Sequence, residues 1–494
     1  MKNPISHSTE RISKLLWIIA ILAAVLIAML PQAAIALPLF ARQTGQSCIA
    51  CHAGGQFPEL TPYGRLFKLT GYTMGERTVP VSIMGVLSNS RVADTSKSDD
   101  PRADFQKNGQ TIFATGSLFL GGKITDNFGA LAQITYNPYA SQDANGKFHG
   151  HTNADNMDFR YADRFIDEKR DLIFGVSVNN NPSISDPWNT AAAWMQYVPV
   201  PSPTSSRFID GTTPYPSYAT GGNIAGVTAY AYLNQSFYAE FGGYSTSRGI
   251  ASFMSAGLNN SRTTKLRGVN PYLRLAWNRE WGAHSLMIGT AGMLSQIYND
   301  PLDTSDPATT HHNRDLKIDA QYQYLLDPHA VTGQLVFAHN RHRYPDSLAN
   351  QAVAFTDAAG NALGNTNAVD TTRLMRAKLS YVYQAKYGGS LAFFNRTGTT
   401  NTANQSSGYD PGTLSITSDS GAQAPSLRVG GNLSGNPATR GLTLETFWMA
   451  NQYVRIGAQY TAYNRFNGAS NNYDGFGRNA RDNNSMFIYL WAAY

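Results

Sequence analysis

Cysteine is nearly missing from this chain: Cys48 and Cys51 are the only two among 494 residues. A zinc site built on their C-x-x-C spacing would need a second ligand pair, which the cysteines do not supply. Charge is scarce too, at 15% of residues, where a soluble globular domain carries about a quarter. No long apolar run follows the N-terminal region, so the remainder contains no span of the transmembrane-helix kind. The formal net charge is +6, but Lys2, Arg11 and Lys14 against Glu10 supply part of it. With no Lys/Arg cluster elsewhere, nothing argues for nucleic-acid binding. No nucleophile triad, phosphate loop or nucleotide fold is apparent.

What the chain does have is 27 tyrosines and 44 glycines, with a hydrophobic fraction of 42% and aromatics at 12%. That composition excludes disorder. Combined with low charge, it predicts a transmembrane β-barrel, whose apolar face is spread one residue in two. Leu316, Ile318, Ala320, Tyr322 and Tyr324 alternate with Lys317, Asp319, Gln321 and Gln323. Met375, Ala377, Leu379, Tyr381 and Tyr383 likewise alternate with Arg376, Lys378 and Ser380. One set meets lipid and the other the lumen. The predicted strands are 81–89, 110–124, 128–137, 157–166, 171–180, 224–233, 236–246, 268–279, 284–297, 314–326, 330–343, 371–386, 389–399, 439–450, 453–465 and 484–494. That is an even number, as bacterial barrels require.

Short and long connections alternate. Tight turns are expected at Thr125-Asp126-Asn127, Asn234-Gln235, Gly282-Ala283, Pro328-His329, Gly388-Gly389 and Gln452. Short turns belong to the periplasmic side. The first strand is followed by a long connection and the chain finishes on a strand ending Trp491-Ala492-Ala493-Tyr494. Both termini of the barrel are therefore expected on the periplasmic side of an outer membrane.

Residues 1–36 read as a signal peptide. Lys2, Arg11 and Lys14 precede the apolar stretch Leu15 to Leu30, and Ala34-Ile35-Ala36 offers a cleavage site. A retained anchor is the alternative reading. Residues 37–80 form a short segment and 81–494 the porin-like barrel.

The short segment carries Cys48-Ile49-Ala50-Cys51-His52, the C-x-x-C-H attachment sequence of a c-type haem. Two thiols at this spacing reach the two vinyl groups on one porphyrin edge, and the following imidazole turns onto the iron. Cys48 and Cys51 are thus expected to carry one covalent haem c and His52 to be its proximal ligand. A redox disulfide is the competing reading. Met74 is one candidate for the sixth ligand; it could instead pack on the ring edge, with Met84, a barrel histidine or an open position in its place. Pro62 is expected to open a short helix through Arg65, Leu66, Phe67 and Lys68. About forty residues are few for an independent domain, so the segment is expected to lean on the barrel as a plug or cap.

Phe40-Ala41-Arg42-Gln43-Thr44-Gly45, the haem motif, Leu60-Thr61-Pro62-Tyr63-Gly64-Arg65-Leu66-Phe67-Lys68 and Gly71-Tyr72 together resemble the fused outer-membrane monohaem cytochrome–porin family of iron-oxidising bacteria. The resemblance covers about forty residues closely and the rest in architecture alone. It implies a haem segment ahead of a sixteen-stranded barrel, oxidation of extracellular Fe(II), and transfer of the electron to a periplasmic cytochrome c or cupredoxin. Similar fusions occur in bacteria not known to live on iron, so another extracellular donor or acceptor is the alternative, as is a diffusion porin with a haem-bearing plug. Oligomeric state is left open.

Candidate lumen charges are Arg160, Arg164, Arg274, Arg376, Lys378 and Arg455 with Asp158, Asp319, Glu240 and Glu445. Mutual pairing that braces the wall is the favoured reading, with propionate-holding arginines the functional alternative. His311-His312 is expected in an external loop, and His339 and His342, three apart on a strand, on opposite faces. The Pro199 to Pro216 stretch reads as an exposed loop.

Overall fold

Period-two alternation is what the wall is made of, and the computed structural model closes it into a ring. It describes residues 38–55, 59–94, 109–142, 148–191, 223–256, 265–298, 303–344, 367–401, 409–410, 415–416, 432–475 and 477–494. The signal peptide and the Pro199 to Pro216 stretch lie outside the described residues. The strands are β1 (Val81–Val92), β2 (Thr111–Lys123), β3 (Phe128–Gln142), β4 (Phe148–Ile166), β5 (Asp171–Asn179), β6 (Ile224–Leu233), β7 (Phe237–Thr246) and β8 (Asn270–Trp281). They continue as β9 (His284–Tyr298), β10 (Thr310–Leu326), β11 (His329–Arg343), β12 (Val369–Tyr383), β13 (Tyr387–Gly398), β14 (Thr439–Asn451), β15 (Val454–Arg465) and β16 (Ser485–Ala493). Each pairs with its neighbour in sequence, and β1 closes on β16 antiparallel with Leu87 opposite Leu490. A minimal hairpin, Tyr409–Asp410 with Ser415–Ile416, lies between β13 and β14.

The burial pattern follows the predicted faces. Leu316, Ile318 and Tyr322 point out and are exposed, whereas Lys317, Asp319, Gln321 and Gln323 point in and are buried. Exposed Leu273, Leu275, Leu379, Leu442, Leu444 and Ile488 continue the apolar exterior, and Trp281, Tyr381, Tyr383, Tyr387 and Trp448 edge it at the short-turn end. An apolar band edged by aromatics is the exterior of an outer-membrane barrel. Among the described residues no helix is long and apolar enough to cross a membrane; the strands do so.

Four local expectations are corrected. Strand β4 begins at Phe148 and not at Met157, because its first part is mostly polar and shows no apolar alternation. The turn after β12 falls at Gln384 to Lys386, with Gln384 and Ala385 in the left-handed region, and not at Gly388-Gly389. Those glycines are wall residues: a Cβ on Gly388 would come within 2.3 Å of the Phe447 ring. At Pro328-His329 the turn is one residue earlier, because His329 already pairs with Tyr383 as the first residue of β11. His311 and His312 lie in β10, not in a loop, because the ladder with β9 and β11 runs on past the apolar band. There, polar residues line both faces and apolar alternation no longer marks a strand.

Before the wall come α1 (Pro38–Thr44), the single turn α2 (Cys48–Cys51) and α3 (Pro62–Leu69). Thr61 caps α3 by accepting from the Gly64 N–H at 3.1 Å, and Pro62 occupies the first turn, where its missing N–H costs nothing. Phe40, Phe67 and Tyr72 pack ring on ring at 5.0–5.8 Å and hold α1 to α3. A fourth short helix, α4 (Pro182–Ser185), follows β5.

Candidate haem-attachment site

The site is a helical turn with a thiol at each end. Three residues apart in α2, the Cys48 and Cys51 side chains leave on one side, and neither sulfur is in a disulfide. His52 leaves the helix in extended conformation, its N–H donating to the Cys48 carbonyl at 2.9 Å. It then pairs with Leu60 in an isolated bridge. Thr61 N–H donates to the Cys51 carbonyl at 2.9 Å, and its hydroxyl donates to the Ala50 carbonyl. The turn is thus clamped by the start of α3. Gly64 makes the clamp possible: a Cβ there would lie 2.1 Å from the Cys51 carbonyl oxygen.

Burial, with Cys48 beside it, pushes the Cys51 thiol up to about 11. It stays protonated at neutral pH, unlike the lowered thiolate of a thiol–disulfide catalyst. Two thiols one turn apart and outside any disulfide, followed directly by an imidazole, match the donor set of a covalent c-type haem, and the residues fit that group. Cys48 and Cys51 would hold the porphyrin and His52 the iron.

Around the turn, the segment is tied to the inside of the wall on nearly every side. Arg42 donates to the Val79 carbonyl at 3.2 Å. Gln43 donates to the carbonyls of Tyr72 and Met74 at 2.6 and 2.8 Å and accepts from Lys123 N–H of β2 at 2.9 Å. Cys48 Sγ lies 3.6 Å from the Gln452 carbonyl in the β14–β15 turn. Glu59 pairs with Lys378 of β12 at 2.7 Å. Burial pushes the Glu59 carboxyl up, but Lys378 outweighs it and holds the group below the usual carboxylate range.

In α3, Arg65 donates to Gln323, Glu280 and Ser285 at 2.8–2.9 Å. Lys68 donates to the Asp186 carbonyl at 2.9 Å, and burial draws its ammonium down to about 8. Tyr230 donates to the Leu69 carbonyl at 2.7 Å, and Tyr72 donates to Asp158 at 2.6 Å. The residues after α4 turn inward to meet the segment: Trp188 is fully buried against Tyr238, and Asp186 lies 3.4 Å from Arg274.

The lumen charges pair mainly with one another. Arg160 meets Asp158 at 2.6 Å, Arg274 meets Asp319 at 2.5 Å, and Arg455 meets Glu445 at 2.8 Å. Arg376 donates to the Thr190 carbonyl. Glu240 accepts from Thr228, Tyr238 and Ser185. Arg164 departs from expectation: it lies at the short-turn rim, paired with Asp171 at 2.6 Å and partly exposed, because the β4 ladder ends two residues later. Met74 is fixed through its carbonyl on the β2 side, whereas Cys48 lies toward the β14–β15 turn. Sequence reading missed Glu59, Tyr72, Asp186, Trp188 and Thr190 as partners. Its one signal was the pair of cations in α3, charged residues three apart beside Leu66, Phe67 and Leu69.

No protein-family model and no curated protein sequence matches this chain. Among solved structures, it is similar to a loop-deletion mutant of OmpT from Vibrio cholerae at 9% identity, TM-score 0.39, covering 84% of this chain and 99% of that one. It is also similar to OmpF of Salmonella typhi at 9% identity, TM-score 0.42, with 84% and 97% covered. An anion-selective porin from Comamonas acidovorans gives 7% identity, TM-score 0.39, with 84% and 99% covered.

Proposed function

We propose that the chain is an outer-membrane electron conduit that oxidises extracellular Fe(II) at one c-type haem held by Cys48, Cys51 and His52, and delivers the electron to a periplasmic cytochrome c or cupredoxin. The observation that carries this reading is the thiol pair, not joined in a disulfide, and the adjacent imidazole on a segment tied to the inner wall of a closed barrel. When bound, the haem would supply a one-electron centre whose potential its ligands and surroundings set; Met74 is one candidate for a second ligand beside His52. The chain's own residues do the rest. Outer-sphere oxidation calls for no general acid or base, so the protein's tasks are attachment, positioning and exclusion of competing acceptors. Arg65, Lys68 and Tyr72 fasten the segment across the lumen, and paired charges fill the space beside it. With the short turns at the periplasmic side, the thiol turn lies near the periplasmic partner.

A diffusion porin with a haem-bearing plug is the second reading, and the closed porin-like barrel fits it as well. The test is anaerobic mixing of oxidised, detergent-purified protein with ferrous iron while following the visible haem bands. Reduction by iron, absent in His52→Ala, is the expected result. Reduction by dithionite but not by iron at any pH would reassign the conduit to another donor or to reversed current. A high single-channel conductance in planar bilayers would favour the porin.

A further inference from the structure

Four histidines pair differently in space than in sequence. His311 opens β10 and points inward, while its neighbour His312 points out. His342 lies near the end of β11 and also points inward, whereas His339 lies on the outer face. One member of each sequence pair thus reaches the same place: His311 Nδ1 lies 2.8 Å from His342 Nε2, with both side chains buried. We propose that His311 and His342 form a binding site for a divalent first-row transition-metal ion at the long-loop end of the lumen.

The ligand chemistry and its surroundings both point there. Imidazole is the common nitrogen ligand of these ions. Two such nitrogens on one tetrahedral ion, at about 2.0–2.1 Å each, are roughly 3.3 Å apart. The pair therefore needs to open by only about half an ångström from its hydrogen-bonded spacing. His342 Nδ1 faces Asn313 Oδ1 at 3.4 Å. A proton held on that side leaves Nε2 as the bare nitrogen, the second-shell arrangement that orients a ligating histidine.

Charge also favours a cation. Asn313 and Asn340 both donate to Asp315, at 2.8 and 2.7 Å. The Tyr344 ring packs edge-on against both imidazoles and its hydroxyl donates to Asp370 at 2.7 Å. Asn367, Thr399 and Asn401 also donate to Asp370, so these donors to that buried carboxylate are neutral. Two carboxylates thus stand one residue behind two imidazoles. Among the described residues no three His, Cys, Asp or Glu side chains converge on one point, so these residues supply two ligands and leave the rest of the shell to water. On metal uptake the proton between the rings leaves that contact, to the far nitrogen of His311 if the pair is neutral or to solvent if it is protonated, so both ligands bind as neutral imidazoles. The site is separate from the thiol turn: along β10 it is roughly 40 Å from Gln323, where α3 docks.

The test titrates Cu2+, which nitrogen ligands hold most tightly in this series, into oxidised full-length protein carrying no polyhistidine tag, read by electron paramagnetic resonance. The expected result is a first equivalent coupled to two nitrogens. His311→Gln and His342→Gln should each weaken its binding by about tenfold or more, with His312→Gln unchanged. A first equivalent without two-nitrogen coupling, or unaltered binding in both variants, overturns the proposal. Heat-modifiable gel mobility checks that each barrel has folded. Should either variant fail to fold, a chain with Gln replacing His149, His151, His284, His312, His329 and His339 removes the other histidines of the barrel. Retention of the signal there supports the site, and its loss overturns it.

Discussion

The wall and the segment it encloses are built from opposite materials. The wall is a repeat: each strand satisfies its backbone on two neighbours, and each side chain's face follows from its parity. The segment has three short helices, no ladder, and a few polar contacts that each differ from the next. Redundancy makes the wall insensitive to any one lumen residue, whereas the position of the thiol turn rests on individual side chains such as Arg65 and Tyr72. The proposed conduit would need both, the wall to fix the route across the membrane and the segment to fix where on that route an electron rests.

That contrast can be tested from either side. Leu444→Arg places a charge on the lipid face of β14, where Leu444 is 60% exposed. It should cost up to about 4 kcal/mol of barrel stability, read as a lower folded fraction in vesicles, with the segment's contacts unchanged in the barrels that do fold. Arg65→Ala should do the reverse. It leaves Gln323 and Ser285 buried without their guanidinium and strands Glu280, whose side chain keeps 33% exposure. Discounted for that exposure, the loss is about 2–3 kcal/mol. Hydrogen exchange should accelerate over residues 59–72 while the strands keep their protection.

Tyr72→Phe removes one hydroxyl from Asp158, which retains Arg160 and Ser177. About 1 kcal/mol of docking is expected to be lost, seen as a smaller acceleration over the same residues. The smallest effect concerns pH. Because Glu59 sits below its ordinary carboxylate range when docked, the docked state binds fewer protons. Its contribution is present above about pH 4.3 and lost as pH falls through the lowered value. Proteolysis of the segment should therefore rise in acid, and Glu59→Gln should flatten that dependence.

Legibility in the sequence divides along the same line. All sixteen strands could be read, since alternation is a local signal that survives to Leu316–Tyr324 and Met375–Tyr383 without knowledge of partners. It failed at Phe148–Asn156 and at Thr310–Asn313, where the strands run past the apolar band and polar residues dominate. The thiol turn and α3 were legible as motifs. Their partners were not: nothing local in Arg65 indicates Glu280, 215 residues away. The pairing of His311 with His342 was likewise hidden, because it depends on the β10–β11 register.

Covalent haem is the central claim, and one measurement addresses it most directly. The full-length chain is produced with a c-type haem maturation system, denatured, and assayed for haem that stays with the polypeptide, alongside Cys48→Ser with Cys51→Ser. The account predicts one haem per chain surviving denaturation in the unaltered protein and none in the double variant, whose barrel still folds. A correctly folded, unaltered protein that carries no covalent haem would contradict it.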